Sequence, residues 1–253
     1  MKIAVISDIH GNMEAIDAVM SDIREKQCDR IFVLGDFAMA GPEPDLAIDY
    51  FMKRKDNPKY TMIQGNTDWM IANYSEELYN TLKEKAPVMA AALKNDEKII
   101  KPLEKEFLRN LPIQLETEEE GVKFLLVHGS PRKNNEDILP DTPLKEVEKM
   151  LENVEANVVL CGHTHIPCGF QTNTKQTVVN VGSIGRTFFI NSNQNELPKA
   201  CYLIINVNSG DCVFEHQFVS YDNERAAQKI INRGFYGADK LAKTLLNPNE
   251  RHF

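Results

Sequence analysis

The sequence predicts an α/β fold that passes into an antiparallel second part, and three observations carry that expectation. Strand-like and helix-like segments alternate over residues 1–64, the pattern turns helical over residues 69–111, and hairpins of period two follow from residue 113. Residues 2–7 (KIAVIS) read as a buried strand. After Asn12, a natural cap, Met13, Ile16, Val19, Met20 and Ile23 recur at helical spacing. Strand 30–34, a helix at 45–53 and strand 60–64 repeat the unit. Such alternation predicts parallel strands with right-handed crossovers, and it puts functional loops at the strand C-termini.

The helical stretch 69–111 reads as an insertion, with apolar faces at residues 89–93 and at Leu103, Phe107 and Leu108 that serve packing before any role as a lid. Residues 113–117 and 122–128 then flank Glu118, Glu119, Glu120 and Gly121, a hairpin with a solvated acidic tip. A helix at 144–152 precedes strands at 157–160, 169–172, 177–181, 200–207 and 212–219, the last two joined by the turn Asn208-Ser209-Gly210-Asp211. A helix at 223–232 and a polar tail complete the expected order. No internal repeat or low-complexity linker divides the chain, so residues 1–253 are expected to form a single domain.

A hydrophobic content of 42% with 26% charged residues is that of a globular protein with a substantial core. The net charge of −8 disfavours long nucleic acids and anionic membranes as partners, since both reward basic surfaces. Five cysteines without a Cys-x-x-Cys pair suggest neither a disulfide framework nor a zinc ribbon, and reduced core thiols in a cytoplasmic protein are the expectation. The first apolar run is too short for a secretory signal, and no run approaches a membrane span.

Asp8-Ile9-His10-Gly11-Asn12 sets two hard ligands at the end of the first strand, two residues apart and so on one side of an extended backbone. Four more stretches sit at apparent strand ends: Gly35-Asp36, Gly65-Asn66-Thr67-Asp68, His128-Gly129, and Gly162-His163-Thr164-His165. Each alone is better explained by turn chemistry or a hydrogen-bonded core histidine. Five together are not, and four of the six histidines lie in them. Asp8, Asp36 and Asn66 offer oxygen, while His10, His128, His163 and His165 offer nitrogen. Seven ligands without a thiolate suit two divalent transition metal ions, manganese first, with iron, zinc, cobalt or nickel as alternatives, rather than calcium or magnesium.

In order, DIH, GD, GNTD, HGS and GHTH resemble the motif series of the calcineurin-like metallophosphoesterases, over residues 8–165. The resemblance implies a four-layer αββα sandwich of two mixed β-sheets flanked by helices. It implies that Asp8, His10, Asp36 and His165 hold one metal and that Asp36, Asn66, His128 and His163 hold the other, with Asp36 bridging. It also implies hydrolysis of phosphoric esters by in-line attack of a hydroxide held between the ions. Gly41-Pro42, His128-Gly129-Ser130-Pro131 and the segment 180–185 (NVGSIG) resemble the small bacterial and archaeal phosphodiesterase branch, some of whose members act on dinucleoside polyphosphates. The expected substrate is therefore small, phosphorylated and nucleotide-like, with a homo-oligomer left open.

The chain departs from the family pattern at Thr67, where many of these phosphatases carry a histidine that protonates the leaving oxygen, with the neighbouring carboxylate, here Asp68, orienting it. A threonine hydroxyl is too weak an acid for that role, and general acid catalysis is worth about 10² to 10⁴ in rate. Leaving groups that are stable as anions are thus expected to be favoured. Arg132 and Arg186, and the backbone N–H groups of Gly182 and Gly185, are candidates for contact with substrate phosphate. A phosphomonoesterase, or a non-catalytic metal-binding scaffold for protein assembly on the same fold, is the competing expectation.

Overall fold

In the computed structural model, which describes residues 1–188 and 197–247, the strands that end in predicted ligands are buried nearly throughout. The order is β1 (Lys2–Ile6), α1 (Met13–Glu25), β2 (Arg30–Val33), α2 (Pro44–Met52), β3 (Tyr60–Met62), α3 (Asn66–Ala72), α4 (Glu76–Lys85), α5 (Pro87–Ile99), α6 (Pro102–Asn110), β4 (Gln114–Glu119), β5 (Val122–Val127), α7 (Leu144–Met150), β6 (Val158–Cys161), β7 (Cys168–Gln171), β8 (Thr177–Asn180), β9 (Ala200–Asn208), β10 (Asp211–Val219), α8 (Asn223–Asn232) and α9 (Ala238–Leu246).

Two five-stranded mixed sheets result, ordered β10-β9-β1-β2-β3 and β4-β5-β6-β8-β7. Within the first, β1, β2 and β3 are parallel. Within the second, β5, β6 and β8 are parallel, with β4 and β7 antiparallel at the two edges. Strand β9 runs antiparallel to β1, which makes the first sheet mixed as well.

Three apolar clusters separate four layers. Ile3, Val5, Phe32 and Leu34 of the first sheet meet Phe124, Leu126, Val158 and Leu160 of the second between the sheets. Phe32 and Phe124 touch edge to face at 6.1 Å, a contact worth about 0.5 to 1.5 kcal/mol beyond area burial. On the outer face of the first sheet, Ala4, Ile6, Ile31 and Val33 pack against Ile16 and Val19 of α1 and Ala47, Ile48 and Phe51 of α2. The second sheet packs Leu125, Val127 and Val159 against Val147 and Met150 of α7. This is the expected αββα arrangement.

The helical stretch 69–111 resolves into most of α3 together with α4, α5 and α6. Val88, Ala92, Leu93, Phe107 and Leu108 join the outer core, so α5 and α6 belong to the helical layer through their packing. Helix α3 begins earlier than expected, at Asn66 itself.

Two expectations need correction. Residues 238–246 are helical rather than a polar tail, because Leu241, Ala242 and Leu245 recur at helical spacing and bury against the α8 side of the core. The acidic turn is not wholly solvated. Glu119 is buried and pairs with Arg30 at 3.0 Å, joining β4 of one sheet to the start of β2 of the other. All five cysteines are free thiols, three of them buried.

Candidate metal centre

Five of the seven candidate ligands leave their strands by strained turns. Asp8, His10, Asp36, His163 and His165 hold φ of +53°, +45°, +55°, +69° and +61°. A left-handed conformation costs a non-glycine residue about 1 to 3 kcal/mol, and such strain persists where surrounding contacts over-determine it. Those contacts are visible. The N–H groups of Ile9 and His10 both bind Asp36 O, at 2.8 and 2.9 Å, and the Asp8 N–H binds Gly35 O. Gly65 is required by close approach, since a Cβ there would lie 2.1 Å from Asp36 Oδ1.

Three histidines are oriented in one way. The Nδ1–H of His10 donates to Met39 O at 3.0 Å, that of His128 to Leu34 O at 2.7 Å, and that of His165 to Arg186 O at 2.6 Å. Each ring therefore turns its Nε2 inward, the tautomer that metal-binding histidines adopt. Asp8 Oδ1 lies 3.3 Å from His165 Nε2, 3.8 Å from His128 Nε2 and 3.9 Å from His10 Nε2. Asp36 directs Oδ1 to His128 Nε2 at 3.4 Å and Oδ2 to His10 Nε2 at 3.9 Å. Among the described residues two groups of converging ligand atoms result: Asp8, His10 and His165, and Asp8, Asp36 and His128.

The arrangement fits divalent cations. Asp8 Oδ1, His128 Nε2 and Asn66 Oδ1 are buried without a hydrogen-bond partner, a costly state that a cation would relieve. Electrostatics agree. Burial alone would raise the Asp8 and Asp36 carboxyls, yet the surrounding histidines hold both below the usual carboxylate range. Burial also opposes charge on His128, but Asp36 and Asp8 outweigh it and lift its pKa to about 10. Burial, with Arg186 nearby, pushes His10 down to about 3.

The remaining candidates are placed differently. The His163 ring stands 5.4 Å from that of His128, while its Nε2 faces Asp137 Oδ1 at 3.3 Å, outside both groups. The His163 backbone N–H donates to Asp8 Oδ2 at 2.9 Å. Arg186 is buried, and its burial lowers its pKa to about 10 against the pull of Asp8 and Asp36. Arg132 forks onto Glu136 at 3.0 and 2.6 Å and reaches Glu146 at 3.2 Å, at the surface. The N–H of Gly185 donates to Asp8 O and that of Gly182 to Asn180 Oδ1, so this loop braces the end of β1. Asn12 caps α1 through Ala15 N–H and donates to Gly185 O.

Thr67 donates its hydroxyl to Ala38 O at 3.1 Å and its N–H to Asp36 Oδ1 at 2.9 Å. The sequence did not reveal what Asp68 does. Its carboxylate accepts from Asp36 N–H at 2.8 Å, Gly65 N–H at 2.8 Å and Phe37 N–H at 2.9 Å, pinning together the loops after β2 and β3. Only the spacing Gly-x-x-Asp at a helix start, the pattern of a capping carboxylate, signalled it.

A family model for the calcineurin-like phosphoesterase superfamily domain matches residues 1–210. The chain belongs to this superfamily. Among relatives of this calcineurin-like phosphoesterase is an uncharacterized protein of Methanocaldococcus jannaschii, 27% identical over 246 residues, covering 90% of this chain and 91% of its own. A hypothetical protein from Pyrococcus horikoshii OT3 superposes with a TM-score of 0.82 at 23% identity, covering 98% of each chain. A metallophosphoesterase from Sphaerobacter thermophilus gives 0.74 at 21% identity, covering 97% of this chain and 98% of its own. These two likenesses establish the shared fold of the phosphoesterase.

Proposed function

We propose that the chain is a phosphoesterase dependent on two divalent transition metal ions, hydrolysing phosphodiester or phosphoanhydride bonds of small, nucleotide-like substrates. The observation that carries this reading is the convergence of three Nε2 atoms, each fixed by its own Nδ1–H bond, on the carboxylates of Asp8 and Asp36. Bound in such a set, divalent ions, manganese foremost, supply Lewis-acid polarisation of phosphoryl oxygens and activation of water. Asp8, His10, Asp36 and His165 would hold one ion, and Asp36, Asn66, His128 and His163 the other. The two oxygens of Asp36, turned to histidines of different groups, support its bridging role.

The chain's own residues narrow the substrate. With its proton given to Ala38 O, the Thr67 hydroxyl is directed at the backbone rather than at a leaving group. That favours nucleotide phosphates and aryl oxides as leaving groups. Arg186, buried beside Asp8 and Asp36, is suited to hold a phosphoryl oxygen. Trp69, the chain's single tryptophan, is 47% exposed one turn along α3 from Asn66, on the same helix face. Helical side chains lean toward the N-terminus, which supports its indole as the group that stacks on a base or aryl ring. Ligands spread over residues 8–165, together with the pairing of β9 to β1, support one domain across residues 1–253.

The test is manganese-stimulated hydrolysis of a panel of phosphomonoesters, aryl phosphodiesters, cyclic nucleotides and dinucleoside polyphosphates, with Asp36→Asn as control. Hydrolysis of diesters or anhydrides that the substitution abolishes is the expected result. Preference for monoesters would reassign the substrate class, and activity intact in Asp36→Asn would refute the ligand set.

A further inference from the structure

Residues 37–42 lie between β2 and α2, belong to neither, and pass directly beside His10. Met39 and Ala40 hold φ of +75° and +61°, and the Met39 carbonyl accepts the His10 Nδ1–H at 3.0 Å. Gly41 runs so close to the His10 backbone that a Cβ there would lie 1.4 Å from His10 O. The course of this segment therefore decides where the His10 ring sits.

A side chain distant in sequence holds it, braced by a second. Arg233, at the C-terminal cap of α8, donates from Nη1 to Gly41 O at 2.6 Å and from Nη2 to Asn95 Oδ1 at 2.6 Å, and pairs with Asp96 Oδ1. Asp96 is fully buried on α5. The guanidinium thus holds the C=O of Gly41, and the carboxylate holds the guanidinium. A buried ion pair is a poor device for stability alone, because desolvation offsets its attraction. Here the guanidinium also gives a hydrogen bond to the segment that orients a candidate ligand.

We infer that Arg233 and Asp96 are positioning residues for His10. By fixing Gly41 against the His10 backbone, Arg233, itself held by Asp96, sets the affinity of the Asp8, His10 and His165 group for a divalent cation. The inference rests on the metal-binding reading of that group. It also gives α8 and α5, which contribute no candidate ligand, a defined part in the site.

The experiment is a double-mutant cycle read by metal binding. The full chain, stripped by chelator, is titrated with manganese(II) chloride alone, and binding is followed calorimetrically and by the paramagnetic resonance of free manganese. Arg233→Ala is expected to weaken one class of sites about 10- to 100-fold, the usual cost of losing a ligand's supporting partner. In a His10→Ala background the same substitution is expected to add less than twofold, whereas in a His128→Ala background its full effect persists. Binding by Arg233→Ala like that of the parent overturns the inference, as does equal weakening in the His10→Ala background, which marks a general structural role. Where Arg233→Ala does not fold by circular dichroism, Arg233→Lys takes its place in the cycle, since lysine faces Asp96 without reaching Gly41 O at the same time. If the parent binds no manganese, the metal-binding reading itself falls and the inference with it.

Discussion

The Nε2 atoms of His10 and His165 face each other at 3.0 Å, and each ring has already given its Nδ1–H to a backbone carbonyl. With His10 pushed down to about 3 by burial and Arg186, no proton sits on its Nε2 near neutral pH. The nitrogen lone pair thus needs a cation in front of it. Metal removal is therefore expected to destabilise the fold. At an ion concentration 100-fold above the dissociation constant the difference is about 2.7 kcal/mol, or roughly 5 to 10 °C in melting temperature for a chain of this size. Scanning calorimetry with and without chelator measures it.

His128 yields a prediction about protons. Its pKa rises from the ordinary 6.5 to about 10 through Asp36 and Asp8, against the effect of burial. A raised histidine pKa stabilises the metal-free fold fully below about 6.5, and that contribution disappears as the pH climbs through about 10. At pH 8 the ring holds a proton that an ion must displace. Metal binding at pH 8 should release about one proton from this residue, read by calorimetry in buffers of different ionisation enthalpy. His128→Gln should abolish that release.

Gly65 separates steric from conformational requirements. Its own φ of −86° is ordinary, so what forbids a side chain is the approach of a Cβ to Asp36, 2.1 Å from Oδ1 and 2.3 Å from the backbone N. Gly65→Ala is expected to cost about 1 to 3 kcal/mol in stability and at least 100-fold in activity. Gly121→Ala, at φ +80° with open space around it, should cost about 1 to 2 kcal/mol and leave activity unchanged.

Thr67 predicts a steep dependence on the leaving group. Without an acid there, hydrolysis of aryl phosphodiesters should exceed that of alkyl diesters of similar size by two orders of magnitude or more, roughly the worth of a general acid. Single-turnover rates are the measurement, so that product release does not mask chemistry. Equal rates would show that another group donates the proton.

Trp69 provides a direct signal, since the chain has one tryptophan. Nucleotides added with metal to an inactive Asp36→Asn variant should quench its fluorescence, while a sugar phosphate should not. Trp69→Ala should raise KM for nucleotide substrates about 5- to 100-fold, the worth of stacking on an aromatic ring, with kcat little changed.

Much of the fold could be read in the sequence because strand ends and ligand motifs coincide there. The run KIAVIS before Asp8 and the run IFVL before Gly35-Asp36 become the neighbouring parallel strands β1 and β2. Helix α9 was obscured by its setting, since Lys240 and Lys243 interrupt the apolar residues while Leu241, Ala242 and Leu245 still line one face. In the site, the residue types were legible, but what orients them was not. The acceptors for His10, His128 and His165 are the carbonyls of Met39, Leu34 and Arg186, and a backbone carbonyl leaves no mark in sequence. Arg132 is a phosphate candidate by its position just past the His128 motif. Its partners Glu136 and Glu146 lie within reach only once the loop after β5 and helix α7 have formed.

The Arg30–Glu119 pair joins the two sheets where β2 begins and β4 ends, while the candidate ligands gather where β1, β2, β5 and β6 finish. Asp8, His10, Asp36 and Asn66 ride on one sheet, and His128, His163 and His165 on the other. The seam of the sandwich is thus bolted at one end by an ion pair and read out at the other by chemistry. A slip of one sheet across its partner by about an ångström would separate the two halves of the site as well as disturb the packed layer between the sheets. Catalytic competence in this protein is thus a gauge of sheet registry.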